Sequence, residues 1–347
     1  MQYSLSCTGK GSIMLSKNVV FKGPMQPETE LRELPPPGPN ELQCRAVRSL
    51  VSAGTEIRCL KGIFEPGTNW ESWVRYPFYP GYSMAAVVMA AGKQTAGFQP
   101  GDRIFAHAPH CQFFNISASL ANPVPNEVTD QEAVWTTMGR ITQNGVRRAQ
   151  VQLGDHVIVI GTGIVGLLTM QFARIAGAAR IIVIDTNEKG LALAQTFGAD
   201  YMITGYAGQA GKEVERLTGG RMADIVFDAT GNPKVLADAC ILARKNGKIL
   251  IIGDTTEPHK QTVGPGVVSN YLTIMGAHAR MLADHDNPFY PYTWQRVHEI
   301  FYDYLMQGRI RVSGLSTMEI APDDLPGLYR KLAEDTTLAT GIQVIWN

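Results

Sequence analysis

From residue 155 onward, short runs of consecutive apolar residues alternate with stretches of helical spacing. Val157–Ile160, Arg180–Ile184, Tyr201–Ile203, Ile225–Asp228, Lys248–Ile252 and about Thr273–Gly276 read as strands. Gly166–Ala178, Glu188–Phe197, Gly211–Thr218 and Lys234–Ala243 read as the helices between them. Near-continuous apolar strands mark a sheet covered on both faces, and crossover helices make it parallel. This half is therefore predicted to be a doubly wound α/β sheet. Residues 1 to about 125 differ. Strand-like segments (Glu41 to Leu50, Met84 to Ala91, Arg103–Ala106) alternate with turn signals such as Pro35–Asn40 and Pro100–Asp102. Helical periodicity is poor there, which predicts a compact barrel. Thr129 and Glu132 fit a capping box opening a helix through Ala133 to about Arg148. Helices near Thr293–Gln307 and Pro322–Asp335 and a strand Gly341–Trp346 complete the chain. That last strand has few local partners and is expected to return to the first half.

The strand–helix junction after Val157 carries the clearest chemistry. Gly161, Gly163 and Gly166 form G-x-G-x-x-G, and Asp185 ends the next strand 19 residues past Gly166. The first glycine permits a tight turn, the second lets backbone approach a pyrophosphate, and the third lets helix pack on strand. The helix start at Ile164 and Val165 offers N–H groups and a positive dipole end to phosphates. Asp185 can accept hydrogen bonds from a ribose diol and would repel a 2′-phosphate, so NAD(H) is expected over NADP(H). The alternative is a glycine-rich βα turn of some other α/β protein.

Composition narrows the remaining classes. The 347 residues suggest about two domains, and 31 basic residues balance 31 acidic ones. No basic stripe suited to nucleic acid is seen. No charge-free apolar run long enough for a membrane span and no secretory signal is seen, so a cytoplasmic protein is expected. Five scattered cysteines (Cys7, Cys44, Cys59, Cys111, Cys240) form no C-x-x-C pair and read as buried or indifferent thiols.

Val51-Ser-Ala-Gly-Thr-Glu56, Pro80-Gly-Tyr82 with Val87, Val88 and Gly92, Pro100-Gly-Asp-Arg103, the Gly161–Gly166 turn and Asp224–Gly231 together resemble the medium-chain dehydrogenase/reductase superfamily. The resemblance covers nearly the whole chain. It implies a GroES-like catalytic domain over 1–128, completed by about 285–347, and a Rossmann NAD-binding domain over 129–284. It also implies that Thr230 and Gly253 lie beside the cofactor and that His278 and Arg280, after the last sheet strand, border the nicotinamide. A homo-oligomer, dimer or tetramer, acting on a small-molecule substrate is expected.

Zinc members of that superfamily carry Cys-Gly-Thr/Ser-Asp and Gly-His-Glu where this chain has Ala53-Gly-Thr-Glu56 and Gly81-Tyr-Ser83. Both metal ligands are replaced, and Val134–Arg140 offers no third. Catalytic zinc needs three protein ligands, so no metal is expected. Within the superfamily, the Ser52–Glu56 and Tyr76–Tyr82 stretches look closest to a branch with bacteriochlorophyllide a dehydrogenases and sugar or polyol dehydrogenase homologues.

Without zinc, a side chain must take the alcohol proton or a polar pocket must hold the oxyanion. Tyr82 is one candidate, acting as base if its pKa is lowered by Arg140 or the nicotinamide charge; otherwise it fills the emptied metal volume. Thr55 matches a family hydroxyl that contacts substrate, or else is a turn hydroxyl. Glu56 is a base, a partner of Arg140 or Arg58, or a surface ion pair. His107 and His110 are acid/base candidates or solvent-facing loop residues. Arg140 binds a hydroxyl-rich or anionic substrate, or is a helix-surface charge. Trp70, Trp73, Tyr76, Phe78 and Tyr79 form a sugar-stacking wall or pack ordinarily. The expected reaction is zinc-independent hydride exchange between NAD and a secondary alcohol: a polyol, a sugar derivative or a cyclic alcohol. A quinone or enoyl reductase and a non-catalytic NAD(H) sensor are the competing readings.

Overall fold

The computed structural model describes residues 14–278 and 292–346. By packing, they divide into two compact units. One holds the described residues through Gly62, Val74–Thr137, and those from Ser316 on; the other holds Ile63–Trp73 and the described residues between Met138 and Leu315. The sequence reading had set its divisions at 128 and about 285. Cys7 and Arg280 lie outside the described residues.

The first unit opens with a hairpin of β1 (Met14–Phe21) and β2 (Pro27–Leu34), paired from Met14↔Leu34 to Phe21↔Pro27. β3 (Glu41–Val51) follows the proline-rich turn. It pairs with β4 (Met84–Ala91), and β4 pairs in turn with β5 (Arg103–Ala106). β6 (Phe113–Ser117) lies against the first half of β3, and the two-residue β7 (Asn122–Pro123) edges β5. Leu42, Cys44, Ala46, Met84, Ala86, Ile104 and Ala106 supply a core that is essentially sealed from water. Register shifts at Gln43/Cys44 and Ala46/Arg48 bend β3, as bulges do. The poor helical periodicity of this half conceals one helix, α1 (Ala53–Lys61), capped by Gly62 at φ 65°. Its buried face is Glu56, Ile57, Cys59 and Leu60. A short α2 (Asn69–Trp73) belongs to the second unit.

The capping box at Thr129 is present: Glu132 N–H donates to its hydroxyl, and its own N–H donates to Glu132 Oε2 at 2.9 Å. The helix it opens is broken, however. α3 (Asp130–Ala133) ends after one turn, and α4 (Thr136–Ala149) starts anew.

The second unit is built on six parallel strands. β8 (His156–Ile160) leads through α5 (Ile164–Ala176) to β9 (Arg180–Asp185), then α6 (Glu188–Thr196) and β10 (Tyr201–Thr204). α7 (Gly211–Leu217), β11 (Ala223–Asp228), α8 (Val235–Leu242), β12 (Ala243–Ile251) and β13 (Thr273–Gly276) continue it. The order β10-β9-β8-β11-β12-β13 is the doubly wound Rossmann arrangement, with its switch point between β8 and β11. All five β8 residues and all six β11 residues are buried, which is why Val157–Ile160 and Ile225–Phe227 read as unbroken apolar runs. α9 (Trp294–Met306) packs in this unit.

β14 (Met318–Ile320), α10 (Leu325–Glu334) and β15 (Ile342–Ile345) belong to the first unit. β15 pairs antiparallel with Arg48–Val51 of β3, so the expected return takes place. Among the described residues no helix is long and apolar enough to cross a membrane.

The third glycine of the β8–α5 turn has a strict packing reason. A Cβ at position 166 would stand 2.0 Å from the Gly161 carbonyl oxygen, whereas one at 163 would meet nothing within 4 Å. Gly166→Ala should therefore cost about 1–3 kcal/mol through overpacking, and Gly163→Ala under about 1 kcal/mol as a weaker helix cap. Urea denaturation of both variants checks the contrast, and equal losses would contradict it.

Candidate functional site

In the second unit the dinucleotide residues collect at the carboxyl ends of the strands, where such sheets bind ligands. Gly161 adopts φ 104° to turn the chain out of β8, and its N–H donates to Ile184 O. Gly163 is the N-cap of α5 and provides no side-chain cap. The helix start at Ile164 and Val165 thus lacks the internal acceptor that Asn187 gives α6, where its Oδ1 accepts from Lys189 and Gly190 N–H. An uncapped helix start fits an anion.

Asp185 ends β9 beside this turn. Its Oδ2 accepts from Thr162 N–H at 2.6 Å and from the Thr162 hydroxyl at 2.7 Å; its Oδ1 accepts from Asn187 N–H at 2.9 Å. The carboxylate thus ties the glycine turn to the neighbouring strand tip, a role the spacing alone did not reveal. After β11, Thr230 donates through its N–H and hydroxyl to the buried Asp228 Oδ1 at 2.9 and 2.7 Å. Gly253, after β12, sits where a Cβ would meet Gly231 N at 2.5 Å. His278 is exposed, and its carbonyl accepts from Asn144. A nicotinamide dinucleotide fits this set: an open glycine, an uncapped helix start and an acidic strand tip are brought together.

Arg140 is no helix-surface charge. It is 3% exposed on α4, and its guanidinium carbon lies 3.8 Å from the ring centroid of Trp294. That geometry is a cation–π contact.

The first unit gathers the other candidates. The Tyr82 hydroxyl hydrogen-bonds the side chains of Ser52, the N-cap of α1, and Thr55, in its first turn. Burial pushes its phenol well above the ordinary tyrosine value, outweighing the two hydroxyls that lower it, and Glu56 adds to the rise. The expected lowering is therefore reversed: Tyr82 is a hydrogen-bonding phenol, not a phenolate base at neutral pH. His107 is exposed, with its ring stacked on Tyr82 at 5.7 Å between centroids.

Glu56 and His110 overturn the surface readings. Glu56 is 1% exposed; its Oε1 accepts from Ser52 N–H at 2.9 Å, and its Oε2 from the Tyr329 hydroxyl. His110, fully buried, places Nε2 3.2 Å from Glu56 Oε2 and Nδ1 2.7 Å from Ser49 Oγ. Glu56 is thus held by Tyr329 and His110 rather than spent on a surface ion pair. Ser49, Ser52, Tyr329 and Trp346 were not singled out from the sequence. Only Ser52 carried a signal, as part of the Ser-Ala-Gly-Thr-Glu motif. The aromatic set separates: Trp70 packs with Phe64 and Trp73, while the Tyr76 hydroxyl donates to Cys59 O and that of Tyr79 to Glu30. The four described cysteines are buried, and burial raises the thiols of Cys44 and Cys111 to about 12, so they are inert.

Zinc does not fit the residues present. Position 53 is alanine, Tyr82 is engaged by hydroxyls, and the buried Ser83 hydroxyl donates to Val134 O. Among the described residues, no three His, Cys, Asp or Glu side chains gather into a metal-holding group.

A family described as zinc-binding dehydrogenase matches residues 165–299. D-guloside 3-dehydrogenase of Escherichia coli K12 is 25% identical over 315 residues, covering 85% of this chain and 89% of that protein. Two solved structures superpose with a TM-score of 0.79 at 20% identity, covering 96% of this chain and 99% of each. One is a Sinorhizobium meliloti 1021 protein bound to NADP; the other is an Escherichia coli CFT073 short chain alcohol dehydrogenase complexed with NADH. In sequence and in fold the chain is thus similar to dehydrogenases of the medium-chain dehydrogenase/reductase type. The stretch matching the zinc-binding dehydrogenase family lies wholly in the second unit. It omits positions 53 and 82, where this chain departs from the zinc pattern.

The raised phenol has a measurable sign. An unfolded tyrosine ionises near pH 10, while folded Tyr82 stays neutral there. Its contribution to stability is full below the unfolded value and is lost as pH rises past it. Tyr82→Phe should flatten the decline in stability between about pH 9 and 11, read by denaturant titration at each pH. An unchanged slope would count against the assignment.

Proposed function

We propose that this protein is an NAD-dependent, zinc-independent oxidoreductase acting on a secondary alcohol of a polyol, sugar derivative or cyclic alcohol. The observation that carries the reading is the acidic strand tip, Asp185, beside the uncapped start of α5 at Gly163. Gly161, Gly163, Ile164, Val165 and Gly166 would hold the pyrophosphate, Asp185 a ribose diol, and Thr230, Gly253 and His278 the nicotinamide side. Bound nicotinamide supplies the hydride acceptor or donor.

The protein's own residues handle the oxygen and its proton. The Tyr82 phenol, kept neutral, donates a hydrogen bond to the substrate oxygen and so stabilises charge developing there. Thr55 and Ser52 orient that phenol. The alcohol proton leaves to water at this edge of the cluster, where the exposed His107 ring stacks on Tyr82. The D-guloside relative supports a hydroxyl-rich substrate, and the lost ligand positions support chemistry without zinc.

An NAD+-reduction screen over polyols, glycosides and cyclic alcohols tests the activity, and no turnover with any of them would reject it. Asp185→Ala should shrink the preference for NADH over NADPH by about tenfold or more, the scale of one to two lost ribose hydrogen bonds. Unchanged binding ratios by fluorescence titration would reject the cofactor assignment. Purified protein should hold less than about one-tenth equivalent of zinc and keep its activity in EDTA. Stoichiometric zinc by elemental analysis would reject metal independence.

A further inference from the structure

Behind the hydroxyl cluster lies a buried polar chain that the proposed reaction leaves unused. It runs from Tyr329 through Glu56 and His110 to Ser49 and Trp346, all at most 3% exposed. Five separate segments converge on it: α10, α1, the β5–β6 connection, β3 and the residue after β15. Trp346 Nε1–H donates to Ser49 Oγ at 2.9 Å. An indole can only donate, so the Ser49 oxygen accepts, and its own proton is available to His110 Nδ1. That leaves His110 Nε2–H to donate to Glu56 Oε2. The tautomer follows from satisfying the network.

The chain reaches the Tyr82 cluster from two sides. Glu56 Oε1 accepts from the N–H of Ser52, whose side chain bonds the Tyr82 hydroxyl. On the other side, Gly81 adopts φ 96°, and a Cβ there would stand 2.8 Å from the His110 ring. The residue before Tyr82 therefore rests directly on the imidazole, and His110 N–H donates to Pro80 O at 2.8 Å. A carboxylate this buried is costly unless fully hydrogen-bonded. Its accumulation of three donors is an investment in one conformation of α1 and of the Pro80–Tyr82 turn.

We propose that Tyr329, Glu56 and His110 are positioning residues that hold Ser52, Thr55 and Tyr82 in register for the substrate oxygen. This rests on the oxidoreductase reading above, and it assigns a role in the reaction to a residue of the C-terminal helix. Tyr329 is the residue to perturb, because its ring is anchored independently, edge-on to Phe21 at 5.0 Å between centroids. Tyr329→Phe removes one hydroxyl and keeps that packing.

Two readouts decide. Amide hydrogen exchange by mass spectrometry, which needs no turnover, should show peptides spanning 52–56 and 80–84 exchanging about tenfold faster in Tyr329→Phe, with the second unit unchanged. With the alcohol that the screen identifies, kcat should fall on the order of tenfold while KM and the NADH dissociation constant hold within about twofold. That loss should vanish when Tyr82→Phe is already present, since the network acts through the Tyr82 hydroxyl. Unchanged exchange overturns the proposal whatever the activity. Additive losses in the double variant overturn the route through Tyr82. A wild-type protein that oxidises no alcohol rejects the functional reading instead, and the exchange measurement still decides whether Tyr329 holds the cluster.

Discussion

The constraint on which the second unit's turn depends is the approach of α5 to the end of β8. The Gly161 carbonyl oxygen occupies space that any side chain at position 166 would need. Backbone against backbone at this distance fixes where α5 begins and which way its uncapped N–H groups point. Thr162, clamped to Asp185, then ties the turn to the tip of β9. Helix start, glycine turn and strand tip thus form one rigid corner. A cofactor that binds there meets donors and an acceptor already aligned, so little ordering entropy is lost on binding.

The first unit solves a different problem. Where zinc relatives place ligands, this chain has alanine, tyrosine and serine. Hydroxyls of Ser52, Thr55 and Tyr82 gather there, with the buried Glu56 carboxylate beside Ser52. Metal coordination draws its geometry from the ion; a hydroxyl cluster has to import it from the scaffold. That accounts for the density of hydrogen bonds around Glu56, and for drawing them from five segments far apart in sequence.

Most of the second unit was legible in the chain. Its central strands are buried on both faces, so they read as apolar runs, and the glycine spacing carries its own stereochemical reason. The capping box at Thr129 was legible because both partners lie within four residues. What escaped were features decided over long range. α1 hides because Ser-Ala-Gly-Thr-Glu has weak helical periodicity and its buried face includes a carboxylate, Glu56, beside Ile57, Cys59 and Leu60. Tyr329 and Trp346 meet Glu56 and Ser49 across more than 270 residues, and no local pattern marks such a contact. His107 and His110 look alike in sequence, yet one is exposed and the other sealed beneath Gly81. Asp185 was read for its charge and place; its tie to Thr162 depended on the turn's actual path.

The pairing of β15 with β3 also bears on how the polypeptide matures. Everything in the parallel sheet is encoded between residues 156 and 276, so that body can close while later segments are still being synthesised. The antiparallel body has no such independence: strand β3 waits for residues 342–345 to fill its neighbouring position, and the Ser49 oxygen for the indole of Trp346. The antiparallel body thus closes on segments that lie on both sides of the parallel sheet in the sequence.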